Sequence, residues 1–364
     1  MIQNYKLTSL GRIVQIDVLR GLAATLVVVA HSSEYFSSRA LSLGHSTEFD
    51  QLVRSVDFGR IGVVLFFLVS GYVVANTLHN KNQFFRNFVL RRLFRLFPLY
   101  WFSMLLAFFF WTNPPPNCLN IMANLTMFPS IWDAHAMLGL YWTLEVELLF
   151  YLLALALARM NYLFKPAALI CCIFVLLVGF SLIMFKLIPS PSTLEWRSFP
   201  YNLSFMLMGV FFYVSKNQEK IGELIPIYWF WLVVLMLLSP AFYSLIRYFS
   251  SGDGNNLRLG LAYPIGMILF FAFTNLRVHW ISLFARLGII SYSMYLMHLF
   301  ILVFVAHYID ASMIPLNWQT LPFLVVISMC LTVAFSSLTY KFIERPWIIF
   351  SKKFISIENT KNKI

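Results

Sequence analysis

Ten apolar stretches of membrane-spanning length leave this chain few folds to choose from. They fall near residues 15–35, 58–78, 96–112, 138–158, 166–187, 199–214, 226–247, 259–275, 287–308 and 321–342. Inside lipid every backbone N–H and C=O must be satisfied within the protein, and runs of about 20 apolar residues meet that demand as helices. Composition agrees, since 60% of the 364 residues are hydrophobic and only 12% charged, a balance foreign to soluble domains. The expectation is an all-α polytopic membrane protein, a bundle of about ten transmembrane helices. Segments 96–112 and 199–214 are short for a full crossing, so tilting or amphipathic extension is expected there.

The net charge of +12 does not point to nucleic acid, because the basic residues are spread over many short connections and form no single arm. Their distribution instead sets an orientation. With a cytoplasmic N-terminus, nineteen of the 27 Lys and Arg residues fall on the cytoplasmic side and seven on the other, with Arg20 inside helix one. Both termini are therefore expected in the cytoplasm. Residues 1–350 read as one membrane-embedded domain and 351–364 as a short basic cytoplasmic tail. Met1 to Val14 is polar and unlike a cleavable signal, so helix one should be retained. Cys118, Cys171, Cys172 and Cys330 have no metal-binding spacing, and no metal is expected.

Ionisable residues within spanning helices carry the functional argument. Arg20 and His31 lie eleven residues apart in helix one, which places them on one helical face about 16 Å apart in depth. An Arg that snorkels and a His that caps would account for them equally well. Helix two carries Phe66-Phe-Leu-Val-Ser70-Gly71-Tyr72, whose small residues either pack helices closely or leave room for a ligand chain. Before helix three stands Arg86-Asn-Phe-Val-Leu-Arg91-Arg92-Leu-Phe-Arg95-Leu-Phe-Pro98. Its guanidiniums can converge on a phosphate, or anchor the protein to lipid headgroups. Helix four holds Glu145 and Glu147, which sit about 200° apart around a helix and so cannot share a face. Glu147 shares a stripe with Leu144 and Tyr151 and is the candidate to hold the His31 imidazole.

Taken in order, these motifs resemble a known family. Arg20 with ten residues to His31, the Ser70-Gly71-Tyr72 stretch, Arg92-x-x-Arg95, Trp142-Thr-Leu-x-x-Glu147-x-x-Phe-Tyr151, Ser291-Tyr-Ser-x-Tyr-Leu-x-His298 and Glu344-Arg-Pro346 are similar to the acyltransferase-3 family of bacterial membrane O-acyltransferases over about residues 12–350. The resemblance implies transfer of an acyl group, commonly acetyl, from cytoplasmic acyl-CoA to a hydroxyl of a carbohydrate, polysaccharide or glycolipid, in a bacterial inner membrane. It implies that His31 is the catalytic histidine with Arg20 as its motif partner. Arg92 and Arg95, with Arg91 beside them, would bind the donor; Ser70, Gly71 and Tyr72 would line its path. Glu147 matches the motif better than Glu145. Val64 stands where many relatives carry an acidic residue. Trp142, Tyr151 and His298 are expected to support the site from behind, although a lone His within a helix is more often a hydrogen-bonded core residue than a catalyst.

The expected mechanism places CoA phosphates on Arg92 and Arg95, the pantetheine arm along Ser70 and Gly71, and the thioester at His31, with no permanently bound cofactor. Only a long donor spans the depth between Arg20 and His31. Loops 36–57, 113–137 and 248–258 would frame the acceptor. Two other classes fit the bundle: a transporter or flippase using Arg20, Glu147 and His31 as its path, and an acyl-CoA-binding scaffold. Against transport, the sequence shows no internal repeat and no paired Gly/Pro-broken helices in corresponding halves.

Overall fold

The computed structural model describes residues 14–42, 55–79, 85–110, 116–188, 194–275, 282–312 and 320–361. Among these residues there are helices and turns but no strand. In chain order the helices are α1 (Val14–Ser42), α2 (Phe58–His79), α3 (Phe85–Phe110), the short α4 (Cys118–Leu125), α5 (Trp142–Arg159), α6 (Pro166–Met184) and α7 (Leu194–Lys216). There follow α8 (Ile227–Ser251), α9 (Gly254–Asn275), the short α10 (Ser282–Ile289), α11 (Ser291–Ser312), α12 (Thr320–Thr339) and α13 (Arg345–Lys361).

Among the described residues nine helical spans are long and apolar enough to cross a membrane, and α7 is not one of them. Yet α7 has 23 residues, enough for about 34 Å of rise, and packs lengthwise between α2 and α6. Its lower hydropathy has a physical reason. Phe205, Met206, Leu207, Met208, Val210, Phe211 and Val214 are fully buried, so protein surrounds this helix and lipid does not select its residues. It can therefore keep Asn202 and Ser204 in its interior turns. Counted with α7, ten long helices build the bundle. The chain also finishes them where it began: Glu344, in the π-turn after α12, lies within electrostatic range of Arg20 in α1.

Several expected boundaries shift. The arginine stretch Arg86–Pro98 is not a segment ahead of the third span but its first half, because α3 starts at Phe85 and runs through Pro98. Neighbouring helices let a membrane helix tolerate that proline. The expected 287–308 span is divided into α10 and α11 by a break at Ile290. Much of the 248–258 connection is helical, and the basic segment after 350 continues α13 as far as Lys361. The N-terminal Met1–Ile13, Lys81, Arg277, His279 and Lys363, and the loop parts 43–54 and 113–115, lie outside the described residues.

Glycines set the closest helix contacts. A Cβ on Gly71 would sit 1.9 Å from the Met206 carbonyl oxygen, and one on Gly209 would sit 2.1 Å from that of Leu68. Here α2 and α7 touch backbone to backbone, as small residues permit in membranes. Gly71→Ala should therefore cost about 3 kcal/mol or more, since neither backbone can yield cheaply. The expected result in detergent is a lowered thermal transition or lost folded yield. Gly179→Ala, with open space around it, should leave the transition in place. Equal transitions for both variants would show that this contact does not hold the bundle.

Candidate active site

Two cavities open in the bundle and adjoin. The first is lined by Arg20 of α1, Ser70 of α2, Arg92 and Arg95 of α3, Glu147 and Tyr151 of α5, and Tyr292 of α11, with apolar walls from Val69, Val73 and Met206. The second is lined by His31 and Glu34 of α1, Asp57 just ahead of α2, Arg60, Trp142, Asn202, Arg258 and Tyr263. Val63 and Tyr295 line both, so these side chains form the partition between them. The α1 helix thus reaches both cavities, with Arg20 in the first and His31 and Glu34 in the second, Arg20 and His31 lying about 16 Å apart along the axis.

The first cavity is electrostatically unbalanced. It exposes three guanidiniums and one carboxylate, and among the described residues no carboxylate lies within ion-pair distance of Arg20, Arg92 or Arg95. Glu147 is held instead by neutral donors: the Tyr151 hydroxyl donates a short hydrogen bond to it, and Ser70 Oγ donates at 3.2 Å. Arg92 lies over the rings of Tyr151 and Phe88, at 4.9 and 5.3 Å from their centroids. Behind Arg20 and Arg95, Glu344 is buried and accepts from Ser293 Oγ at 2.8 Å. Unpaired cations in a low-dielectric cavity are costly, and an anionic ligand removes that cost.

At His31 the geometry fixes a tautomer. His298 Nδ1 lies 3.2 Å from the Met294 carbonyl oxygen, which can only accept, so Nδ1 carries the proton. In a neutral imidazole the other nitrogen, Nε2, is then an acceptor. It lies 2.7 Å from His31 Nδ1, which must donate to it. The lone pair of His31 is consequently left on Nε2. The two rings lie nearly parallel, 14° apart with centroids 5.0 Å from each other, and His298 is buried. This is the arrangement by which a second group fixes which nitrogen of a histidine acts as base.

The expected residues are thus sorted by the fold. Arg20, Arg92, Arg95, Ser70, Glu147 and Tyr151 come together in the first cavity. His31 stands in the second with Trp142. Glu147 is not the group that holds the imidazole; His298, on a helix 267 residues away in sequence, takes that place. Gly71 and Tyr72 face away from both cavities, Gly71 onto the α7 backbone and Tyr72 onto Phe212 and Tyr213. Arg91 does not line the first cavity. Glu145 is structural, accepting from Ser130 Oγ at 2.6 Å and so holding the turn that leads into α5. Val64 packs against Gly266, and the carboxylate from this part of the chain comes from Asp57, seven residues earlier.

A family model described as an acyltransferase domain, Acyl_transf_3, matches residues 13–341. The chain belongs to the acyltransferase-3 family. The match covers every cavity-lining residue named above, so both cavities lie in the acyltransferase domain. No curated protein matches this acyltransferase, and no solved structure does. As a member of the family it is a multi-pass membrane acyltransferase.

Sequence reasoning passed over Glu34, Asp57, Arg60 and Arg258, all in the His31 cavity. Glu34 was within reach of it, since i,i+3 spacing puts it on the helical face of His31. Arg258 was not, because it reaches the cavity from a helix more than two hundred residues away.

Proposed function

We propose that this acyltransferase moves an acetyl group from cytoplasmic acetyl-CoA to a hydroxyl of a carbohydrate or glycolipid on the far side of a bacterial inner membrane. The observation that carries the reading is the cluster of Arg20, Arg92 and Arg95 in one cavity, three guanidiniums that no carboxylate among the described residues meets within ion-pair distance. Guanidiniums match phosphate oxygens in geometry as well as charge. The positive-inside distribution of the basic residues supports a cytoplasmic position for this cavity, on the side where CoA is made available. Its apolar walls suit the pantetheine arm, which delivers the thioester to the partition at Val63 and Tyr295.

The acceptor enters the His31 cavity from the opposite side. His31 Nε2 removes the hydroxyl proton as the oxygen attacks the thioester carbonyl. The C–S bond then breaks, and the departing CoA sulfur takes the proton back from Nε2. Two adjoining cavities hold both substrates at once, which direct transfer requires. Glu147 keeps Ser70 and Tyr151 in place beside the donor. In this reading the membrane-embedded domain carries the whole reaction, and the basic segment 351–364 stays on the cytoplasmic side.

The test is kinetic. Purified protein, labelled acetyl-CoA and a cell-envelope glycan fraction should give labelled glycan with intersecting initial-velocity lines. Parallel lines would contradict direct transfer, and an absence of label transfer would contradict the reading as a whole.

His298 acts through His31 in this scheme, as a positioning residue. His298→Leu should lower kcat about a hundredfold while leaving both KM values within threefold, because the imidazole loses the bond that selects its tautomer. His298→Gln, whose amide oxygen can still accept from Nδ1, should recover part of the loss. Equal kcat for the Leu and Gln variants would contradict the positioning role.

A further inference from the structure

The two cavities treat charge in opposite ways, and the difference bears on the acceptor. Among the described residues the cations of the Arg20 cavity make no contact ion pair, whereas those of the His31 cavity are all paired. Arg258 Nη2 donates a short hydrogen bond to Glu34 Oε1. Arg60 Nε donates to Asp57 Oδ2 at 3.0 Å, its backbone N–H donates to Oδ1 at 2.8 Å, and its Nη1 donates to the Tyr263 hydroxyl at 3.1 Å. Two carboxylates thus face two guanidiniums, and His31 enters the proposed transfer as a neutral base. An anionic ligand entering here gains no net attraction and must displace an existing partner.

The rest of the lining is neutral. Trp142 and Tyr263 offer ring faces, and Asn202 adds a carboxamide. Rings of this kind present an apolar body with a polar tip, the counterpart of a sugar ring's C–H face and its rim of hydroxyls. One donor is left over: Arg258 Nε is buried and has no hydrogen-bond partner among the described residues. A buried N–H without an acceptor is destabilising, and a ligand oxygen placed there restores the bond.

We infer that the His31 cavity is built for a neutral, polyhydroxylated acceptor rather than an acidic one, with Arg258 Nε as a hydrogen-bond donor that positions it. The inference rests on the acetyl-transfer reading but narrows it. Sugars bearing carboxylate, phosphate or sulfate are selected against, and neutral hexose or N-acetylhexosamine units are selected for.

The experiment compares labelled acetyl transfer from acetyl-CoA to two sets of oligosaccharides, one neutral (glucan, galactan and N-acetylhexosamine oligomers) and one acidic (uronate and phosphate-bearing oligomers). Equilibrium dialysis of the same oligomers, without donor, reads binding apart from turnover. Wild type should bind and acetylate the neutral set at least about tenfold better. Glu34→Gln, which leaves the Arg258 cation unpaired, should move the preference toward the acidic set by about tenfold. Arg258→Met should weaken neutral binding, and Arg258→Lys, which cannot donate from the Nε position, should not restore it. A wild-type preference for acidic oligomers, or an unchanged preference in Glu34→Gln, would overturn the inference while leaving acetyl transfer intact. Selective binding of neutral oligomers with no transfer to any of them would uphold the cavity's charge preference and contradict the transfer reading instead.

Discussion

Arg95→Gln is expected to raise the KM for acetyl-CoA between about 10- and 100-fold, the equivalent of one charge-assisted phosphate contact of about 1.5–3 kcal/mol. The acceptor KM should stay within about twofold, because Arg95 lines only the cavity without His31. Arg95→Glu should be worse still, since it adds repulsion to the lost bond. Arg92→Gln should fall at the lower end, as its guanidinium is partly engaged by the rings of Phe88 and Tyr151. Donor affinity should also weaken with rising salt in wild type and less so in the variants, because fewer charges remain to be screened. Equal rises in both KM values, or a lowered thermal transition, would mean that the arginines serve folding rather than donor binding.

His31→Ala carries the largest effect. Removing the base should lower kcat by about a thousandfold, within the range that general base catalysis supplies. Donor KM should change little, because the arginines proposed to bind CoA line the other cavity. The contrast with His298→Leu is informative. Loss of the base removes the chemistry, whereas loss of the positioning ring leaves an imidazole that still samples the correct tautomer part of the time. Comparable falls in the two variants would show that both rings take part directly. Wild-type rates in His31→Ala would remove His31 from the mechanism and leave the donor cavity as the surviving part of the account.

What was legible in the sequence was what local spacing encodes. Apolar length and helical periodicity give the bundle, and Arg20 with His31 on one face gives two depths along one helix. The Arg92-x-x-Arg95 spacing puts both guanidiniums into one cavity because residues three apart on a helix are neighbours. Hydropathy undervalues α7 for a reason that applies to any bundle interior: a helix surrounded by protein is not selected by lipid. The His31–His298 hydrogen bond was beyond reach, because pairing α1 with α11 is a matter of tertiary packing. Glu147 looked like the partner of His31 since a carboxylate deep in a helix asks for one, but α5 turns it toward Ser70 and Tyr151. The Gly71 motif was legible as a small-residue signal, and only the structure separates Ser70, which lines the cavity, from Gly71, which lets α7 approach.

In the proposed reaction an acyl group enters at the arginine cavity and leaves on a hydroxyl at the His31 cavity, on opposite faces of one bundle. Proteoliposomes of uniform orientation, with labelled acetyl-CoA confined to the side of Arg92 and Arg95 and a neutral glycan confined to the other, test it most directly. The expected result is labelled glycan on the far side, lost in His31→Ala, with CoA released where the donor was supplied. Glycan carried across the membrane without label, or label transferred only when donor and acceptor share one side, would contradict it.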